Sequence, residues 1–498
     1  MKSTGKAACI LPHGVLFRGG AEGVIRSQLV RSGYLKGIIG LPANLFYGTG
    51  IPACILVLDK ENATARKGIF MMDASKGFMK DGNKNRLRER DIHRIVDTFT
   101  KQSDEAKFAR MVPVAEIADP KNDFNLNLPR YIDTTEPEDL QDIDGHLRGG
   151  IPERDLSGED SLIAPYWKVL PSVYKDLFES AGRPGYLRLK VPQSDVKAAI
   201  LSHPEFVSFQ KKATKGFTEW RQATTPLLTA FGKGGHPKAL IAEIAESLLL
   251  AYGKTPLIDA YDVYQHLMDY WAEVMQDDCY LVAADGWVAK TYRIEETDKK
   301  GKTKDKGWAC DLVPKVLIVA RYFAKEQAAL EAKQAELDAA TSALAELEEE
   351  HGGDEGCFGA MDKIAKAEIN ARLKEIKGDK DAKDEAEILK RWIDLAERET
   401  ALNREVKGRD AELDDLAYAK YHKLTAGEIK ILAIDDKWMA RLSASLQIEL
   451  DRVSQTLTGR IRELSERYAE TLTQLSDSIS QASLRVDHHL SMLITKQR

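Results

Sequence analysis

Leu11-Pro-His-Gly-Val-Leu-Phe-Arg-Gly-Gly20 and Gly40-Leu-Pro-Ala-Asn-Leu-Phe-Tyr-Gly-Thr-Gly-Ile-Pro-Ala-Cys-Ile-Leu-Val-Leu58 together decide how this chain is read. Short apolar runs alternate with Gly/Pro turns, and Ala21–Arg31 between them places Val24, Ile25 and Leu29 at helical spacing. The order is strand (Ala7–Leu11), helix, strand (Leu35–Leu41), loop, strand (Ala53–Leu58). Eleven residues separate the last two strands, which suits an antiparallel hairpin with a long tip. Ile69–Asp73 reads as a fourth strand.

Working outward, Lys76–Arg110 is charged and helical from about Glu89. Lys80, Lys84, Arg86, Arg88, Arg90 and Arg94 are offset by Asp81, Glu89 and Asp91, so a solvated surface is favoured over a phosphate-contact patch. Asp123-Phe-Asn-Leu-Asn-Leu-Pro-Arg-Tyr-Ile-Asp133 is amphipathic and contains Pro129, which predicts a loop or edge strand. Glu136–Asp155 is acidic and contains Gly149-Gly-Ile-Pro152, as a linker would.

Residues 161–325 are richer in helical patterns: Val196–Leu201, Phe206–Trp220, Ala239–Ala251 and Tyr261–Trp271. The aromatic residues of the last read as core, and His266 as a packed histidine rather than a ligand. Cys279–Ala284 and Gly286–Ile294 read as strands. The loop Glu295–Lys306 carries five lysines within eight residues, a solvated tip or a contact for a DNA backbone through Lys299, Lys300 and Lys302.

From Val316 onward the pattern is helical. Leu330, Leu337 and Leu344 repeat every seven residues, a short coiled-coil signature. With Ile364–Ile376 and Asp384–Leu416, the expected packing is an antiparallel helical hairpin closed by the segment between. A last helix from about Ile434 to Leu493 carries Leu442, Leu446, Leu450, Val453, Leu457, Ile461, Leu464 and Tyr468 on one stripe, which needs other helices to cover it.

Composition narrows the function classes. The chain has 498 residues and a formal net charge of -6, so it is not a protein that binds DNA by bulk positive charge. Five cysteines (Cys9, Cys54, Cys279, Cys310, Cys357) are scattered with no C-x-x-C pair, which argues against zinc or a disulfide framework and suits a reducing cytoplasm. No apolar run approaches the ~20 residues of a membrane span, so no membrane partner is expected.

The motifs in residues 7–58 and 123–133 resemble the C-terminal half of the methyltransferase core in the modification (M) subunit of type I DNA restriction–modification systems. The resemblance implies an α/β plus α fold: an incomplete Rossmann-like methyltransferase sheet (1–118), a linker (119–160), a mainly helical accessory domain with a strand pair (161–325), an antiparallel helical hairpin (326–420) and a long C-terminal docking helix (421–498). It implies adenine-N6 methylation of site-specific DNA with S-adenosylmethionine. It also implies partnership with a specificity (S) subunit, a second M subunit, a restriction (R) subunit and double-stranded DNA.

In that family, catalysis needs Phe-x-Gly-x-Gly for the cofactor and Asn-Pro-Pro-Phe/Tyr to hold the flipped base. Neither occurs in these residues, so the chain is expected to carry no catalytic or cofactor residues of its own and to be inactive alone. A fragment, an internal-start product or one half of a split protein is the expectation, with a non-catalytic assembly or DNA-clamping half as the alternative. In such a sheet the first strand would lie in the interior, buried on both faces. The loop Asn44–Gly50 would supply the aromatic that sandwiches an extruded adenine, Phe46 first and Tyr47 second. Arg18 is a phosphate or base-edge contact, or a helix-entry arginine in a surface ion pair.

Overall fold

The computed structural model describes residues 2–135, 138–297, 303–353, 356–359, 361, 363–379 and 382–495, with side chains described through residue 490. The chain divides into two compact units, Met1–Thr224 with Lys238–Glu273 and Leu442–Arg498, and Thr225–Pro237 with Val274–Arg441. These boundaries cut across the divisions suggested by composition, because the first unit takes back the end of the chain.

The first unit is built on a five-stranded sheet. Strand β1 (Lys6–Pro12) is followed by helix α1 (Ala21–Arg31), β2 (Leu35–Gly40), β3 (Ala53–Asp59) and β4 (Gly68–Asp73). A small ribbon of β5 (Met79–Asp81) and β6 (Lys84–Arg86) precedes helix α2 (Glu89–Lys101) and strand β7 (Ala109–Pro113). The spatial order is β1-β3-β2-β4-β7. β3 runs antiparallel to both β1 and β2, β2 is parallel to β4, and β4 is antiparallel to β7. The expected β2–β3 hairpin and the fourth strand are both present.

The two faces of the sheet follow the period-two alternation of strands. Ile38, Ile69 and Met71 enter one core with Leu16, Val30, Cys54 and Val112. Ile39, Phe70 and Met72 enter the other with Leu41, Ile95 and Ala109. On this second face Phe99 of α2 meets Phe70 edge-on at 5.9 Å, the favoured geometry for two aromatic quadrupoles. Residues 123–133 form a loop with a single tight turn at Leu128–Arg130, and Phe124, Leu126, Leu128, Tyr131 and Ile132 plug the first face. That loop agrees with its reading from Pro129.

β1 differs from expectation. It is an edge strand, with Cys9 exposed and Ile10 57% exposed. Its register with β3 runs from Lys6↔Asp59 to Pro12↔Ala53, and no strand among the described residues pairs with its other side. The predicted two-sided burial requires a neighbour that these residues do not supply.

The acidic segment expected to be a linker is tied into the first unit. Asp142 caps the short helix Ile143–Arg148 by accepting from the Gly145 N–H (2.7 Å), and Ile151–Pro152 pairs with Tyr186–Leu187. Farther on, α3 (Ala260–Tyr270) and α4 (Ala440–Arg467) contribute helices to the same unit. His266 of α3 bonds Glu449 of α4 at 2.8 Å, an ion-paired position consistent with its reading as structural.

The expected single docking helix is two helices. The stripe Leu442, Leu446, Leu450, Val453, Leu457, Ile461 and Leu464 is already buried in α4. The chain then breaks, and Thr471 and Gln474 cap each other reciprocally at the start of α5 (Leu472–Thr495). Leu472, Ile479, Val486 and Leu490 of α5 are exposed. Two periodic stripes read as one because the polar break between them is only a few residues long.

The second unit contains the expected helical hairpin. Ala324–Glu350 and Lys383–Tyr421 run antiparallel, as the contacts Lys333–Glu405 (3.8 Å), Thr341–Glu399 (2.9 Å) and Glu348–Trp392 (2.8 Å) establish. Phe358 and Ile369 of the intervening segment join Leu347, Leu389 and Trp392 in one cluster. Cys279–Ala284, read as a strand, lies in the helix Gln276–Asp285, where Cys279 and Val282 are buried one turn apart. A run this short satisfies both periods. Gly286 ends that helix at φ +82, and the strand begins only at Tyr292, pairing Tyr292–Thr297 with Thr303–Ala309.

Candidate functional site

The site builds on the loop between β2 and β3. At its base Leu41 N–H donates to Ala53 O (2.8 Å), and Asn44 N–H closes the tip on Gly50 O (3.3 Å). Asn44 and Gly48 hold left-handed backbone at φ 56 and 78, a conformation that asparagine and glycine adopt most readily. Gly40 at the end of β2 is required by close approach: a Cβ there would stand 2.5 Å from the Leu128 side chain.

The β5–β6 ribbon clamps this loop. Asn85 donates from its backbone N–H to Asn44 O (3.0 Å) and from Nδ2 to Ala43 O (2.7 Å). Lys84 Nζ donates to Phe46 O (3.0 Å) and Thr49 O (3.3 Å). His13, at the turn after β1, fixes the other side through its backbone N–H to Pro52 O (3.2 Å) and Nε2 against Ala53 O (2.9 Å). Carbonyls along the whole loop are thus bound by three residues outside it, Lys84, Asn85 and His13, which fixes its backbone.

The clamp separates the two aromatic candidates. Phe46 is half-buried and packs against the second core cluster beside Leu45. Tyr47 is 95% exposed. The structure therefore presents the Tyr47 ring to solvent, with the Phe46 ring seated beneath the same tip.

Arg18 lies between β1 and α1. Its guanidinium lies over Gly14, and Nη1 is 3.7 Å from Glu22 of α1, the surface ion pair that was one of its two readings. Arg26 holds the turn together. It is 8% exposed and donates to Phe124 O (2.7 Å), Val15 O (2.9 Å) and Arg18 O (2.9 Å). Lys299, Lys300 and Lys302 fall outside the described residues. Lys84 and Asn85 escape a reading of the sequence as site residues, because Lys84 counts there among surface charges. The Asp81-Gly82 step before it is a hairpin signal that could have placed both on a ribbon.

The described residues contain no group of three or more His, Cys, Asp or Glu side chains placed to hold a metal ion, and no helix among them is long and apolar enough to cross a membrane. The β1–α1 turn spends its polar groups internally through Arg26, so it does not form a cofactor site by itself.

Comparison with known proteins places residues 1–140 under the family model described as N-6 DNA Methylase. The chain is 38% identical over 143 residues to the type I restriction enzyme MjaVII methylase subunit of Methanocaldococcus jannaschii, covering 28% of this chain and 24% of that one. It is 35% identical over 139 residues to the type I restriction enzyme MpnII methylase subunit of Mycoplasma pneumoniae, covering 28% and 25%. A crystal structure of a type I restriction-modification system methyltransferase subunit from Streptococcus thermophilus matches at 42% identity and a TM-score of 0.25, covering 26% of this chain and 27% of that one. The chain spans about a quarter of the length of these relatives. The resemblance read from residues 7–58 and 123–133 is borne out over this N-terminal part.

Proposed function

We propose that this chain is part of a type I restriction–modification methyltransferase subunit that methylates adenine N6 in site-specific DNA with S-adenosylmethionine. The observation that carries the proposal is the clamped β2–β3 loop with Tyr47 displayed at its tip, inside the stretch that matches the N-6 DNA methylase family. Stacking of Tyr47 on an extruded adenine holds the base without choosing it. Phe46, packed beneath, supports the tip and is the second candidate for that contact.

The methyl-transfer residues and the cofactor loop come from a companion segment or polypeptide bearing Phe-x-Gly-x-Gly and Asn-Pro-Pro-Phe. The open side of β1 supports this reading, since a strand added there would cover Ile10 and give β1 its expected interior place in a Rossmann-like sheet. Arg18 and the Lys299, Lys300 and Lys302 tip are proposed DNA contacts. Exposed α5 is the proposed docking element for an S subunit. A second M subunit and an R subunit complete the proposed assembly, in the cytoplasm.

The test is co-expression of the chain with such a companion and an S subunit, followed by measurement of N6-methyladenine in duplex DNA. Removal of α5 by a stop after Thr471 is expected to abolish capture by the S subunit, and undiminished capture would refute the docking role. The second reading, a non-catalytic assembly or DNA-clamping half, is favoured by the missing motifs and predicts DNA retention without methyl transfer in the same mixture.

A further inference from the structure

A cavity of about 280 Å³ in the first unit opens beside the start of α2, away from the β2–β3 loop residues. Five cationic and three anionic side chains line it. The anions are engaged locally. Asp73 accepts from Ser75 N–H (3.0 Å) and Asp259 from Tyr261 N–H (2.9 Å). Asp91 accepts from Arg88 three times, through the backbone N–H, Nε and Nη2 at 2.8–3.1 Å.

The cations are presented differently. Lys76 Nζ rests on Thr134 O (2.5 Å) and Lys107 Nζ on Thr135 O (3.2 Å), so neutral carbonyls steer two exposed ammonium groups toward the same rim. Lys107 holds left-handed backbone at φ 61, a conformation that costs a residue with a Cβ about 1 kcal/mol or more. Arg94 stacks its guanidinium over the Phe108 ring at 4.4 Å and pairs with Glu105, yet its Nε is buried with no hydrogen-bond partner. A buried donor left unmatched is costly unless something fills its position.

We propose that this cavity is a phosphate-binding site, with Lys76 and Lys107 supplying charge at the rim and Arg94 a donor beneath it. Ile95 and Phe108 give the wall an apolar portion, where the sugar beside a phosphate would rest. The phosphate comes from a nucleic-acid backbone or from solution, and the experiment separates the two. The inference rests on this geometry and not on the methylase reading, whose own test is methyl transfer.

The full chain and its Lys76→Ala/Lys107→Ala variant are titrated with inorganic phosphate at constant ionic strength by calorimetry. Circular dichroism checks the fold, and Lys107→Arg serves as the conservative control. Saturable binding by the parent, at least about fivefold weaker in the double variant and retained in Lys107→Arg, is the expected result. No saturable binding by the parent, or equal affinity in the double variant, would overturn the proposal. Both proteins are then bound to a short duplex from about 50 to about 200 mM salt. A slope of log affinity against log salt that is shallower by about 1 for each backbone phosphate the double variant no longer neutralises assigns the site to DNA. An unchanged slope, or no duplex binding by the parent, assigns it to free phosphate.

Discussion

Lys84 and Phe46 are joined by a hydrogen bond from the Lys84 ammonium to the Phe46 carbonyl, 3.0 Å long, across a gap of 38 residues. The same ammonium reaches Thr49 O, so one surface lysine holds the tip that carries Tyr47. A charge-assisted hydrogen bond contributes about 1.5–3 kcal/mol when partly shielded. Lys84→Met is therefore expected to speed amide hydrogen exchange across Leu45–Gly48 about tenfold or more, with the sheet strands unchanged. Equal exchange in both proteins would show that the tip is held by Asn85 and His13 alone.

Arg26 is the buried counterpart on the other side of the site. Three carbonyls accept from it, on Val15, Arg18 and Phe124, and burial lowers its pKa. Arg26→Ala leaves these carbonyls without their donor and is expected to destabilise the first unit by about 2–4 kcal/mol. Denaturant unfolding followed by proteolysis of residues 123–133 measures this. A loss below about 1 kcal/mol would mean that water replaces the guanidinium without cost.

Asp139 is held by Arg467 and Arg460, whose hydrogen bonds push its carboxyl well below the ordinary carboxylate value of 3.8 despite partial burial. A depressed folded-state pKa gives stability that is present above the unfolded value and lost as pH falls through the folded one. The parent is expected to exceed Asp139→Asn in thermal stability at pH 6, with the gap closing steadily below about pH 4. A gap independent of pH would place the effect in packing and not in the charge.

Thiol labelling separates edge from core. Cys9 on β1 is exposed, whereas burial pushes Cys54 up to about 11 and Cys279 up to about 12. Because the thiolate reacts, Cys9 is expected to label orders of magnitude faster than either in the folded chain. A companion strand bound along β1 would slow Cys9 alone. Labelling of Cys9 unaffected by an assembled companion would remove β1 as the joining edge.

The sheet was legible where the pattern had one solution. Leu35–Leu41 and Ala53–Leu58 are apolar runs bounded by Gly and Pro, and they pair as the hairpin read from them. Cys279–Ala284 was not legible, since six mostly apolar residues fit a strand or one and a half helical turns equally well. The edge position of β1 depends on which strands lie beside it, and that is a property of pairing rather than of its own residues. Tyr47 and Phe46 are neighbours of the same chemistry. Only the clamp from Lys84 and Asn85, which comes from a ribbon distant in sequence, decides which ring faces solvent.

The most direct test of the methylase reading is transfer of labelled methyl from S-adenosylmethionine to duplex DNA by the chain assembled with its companion and S subunit. The account predicts N6-methyladenine in the product and a loss of about tenfold or more in Tyr47→Ala, in keeping with the ~1–3 kcal/mol of one base–aromatic stack. An assembled complex that transfers no methyl group, or one in which Tyr47→Ala and Phe46→Ala both match the parent, would contradict it.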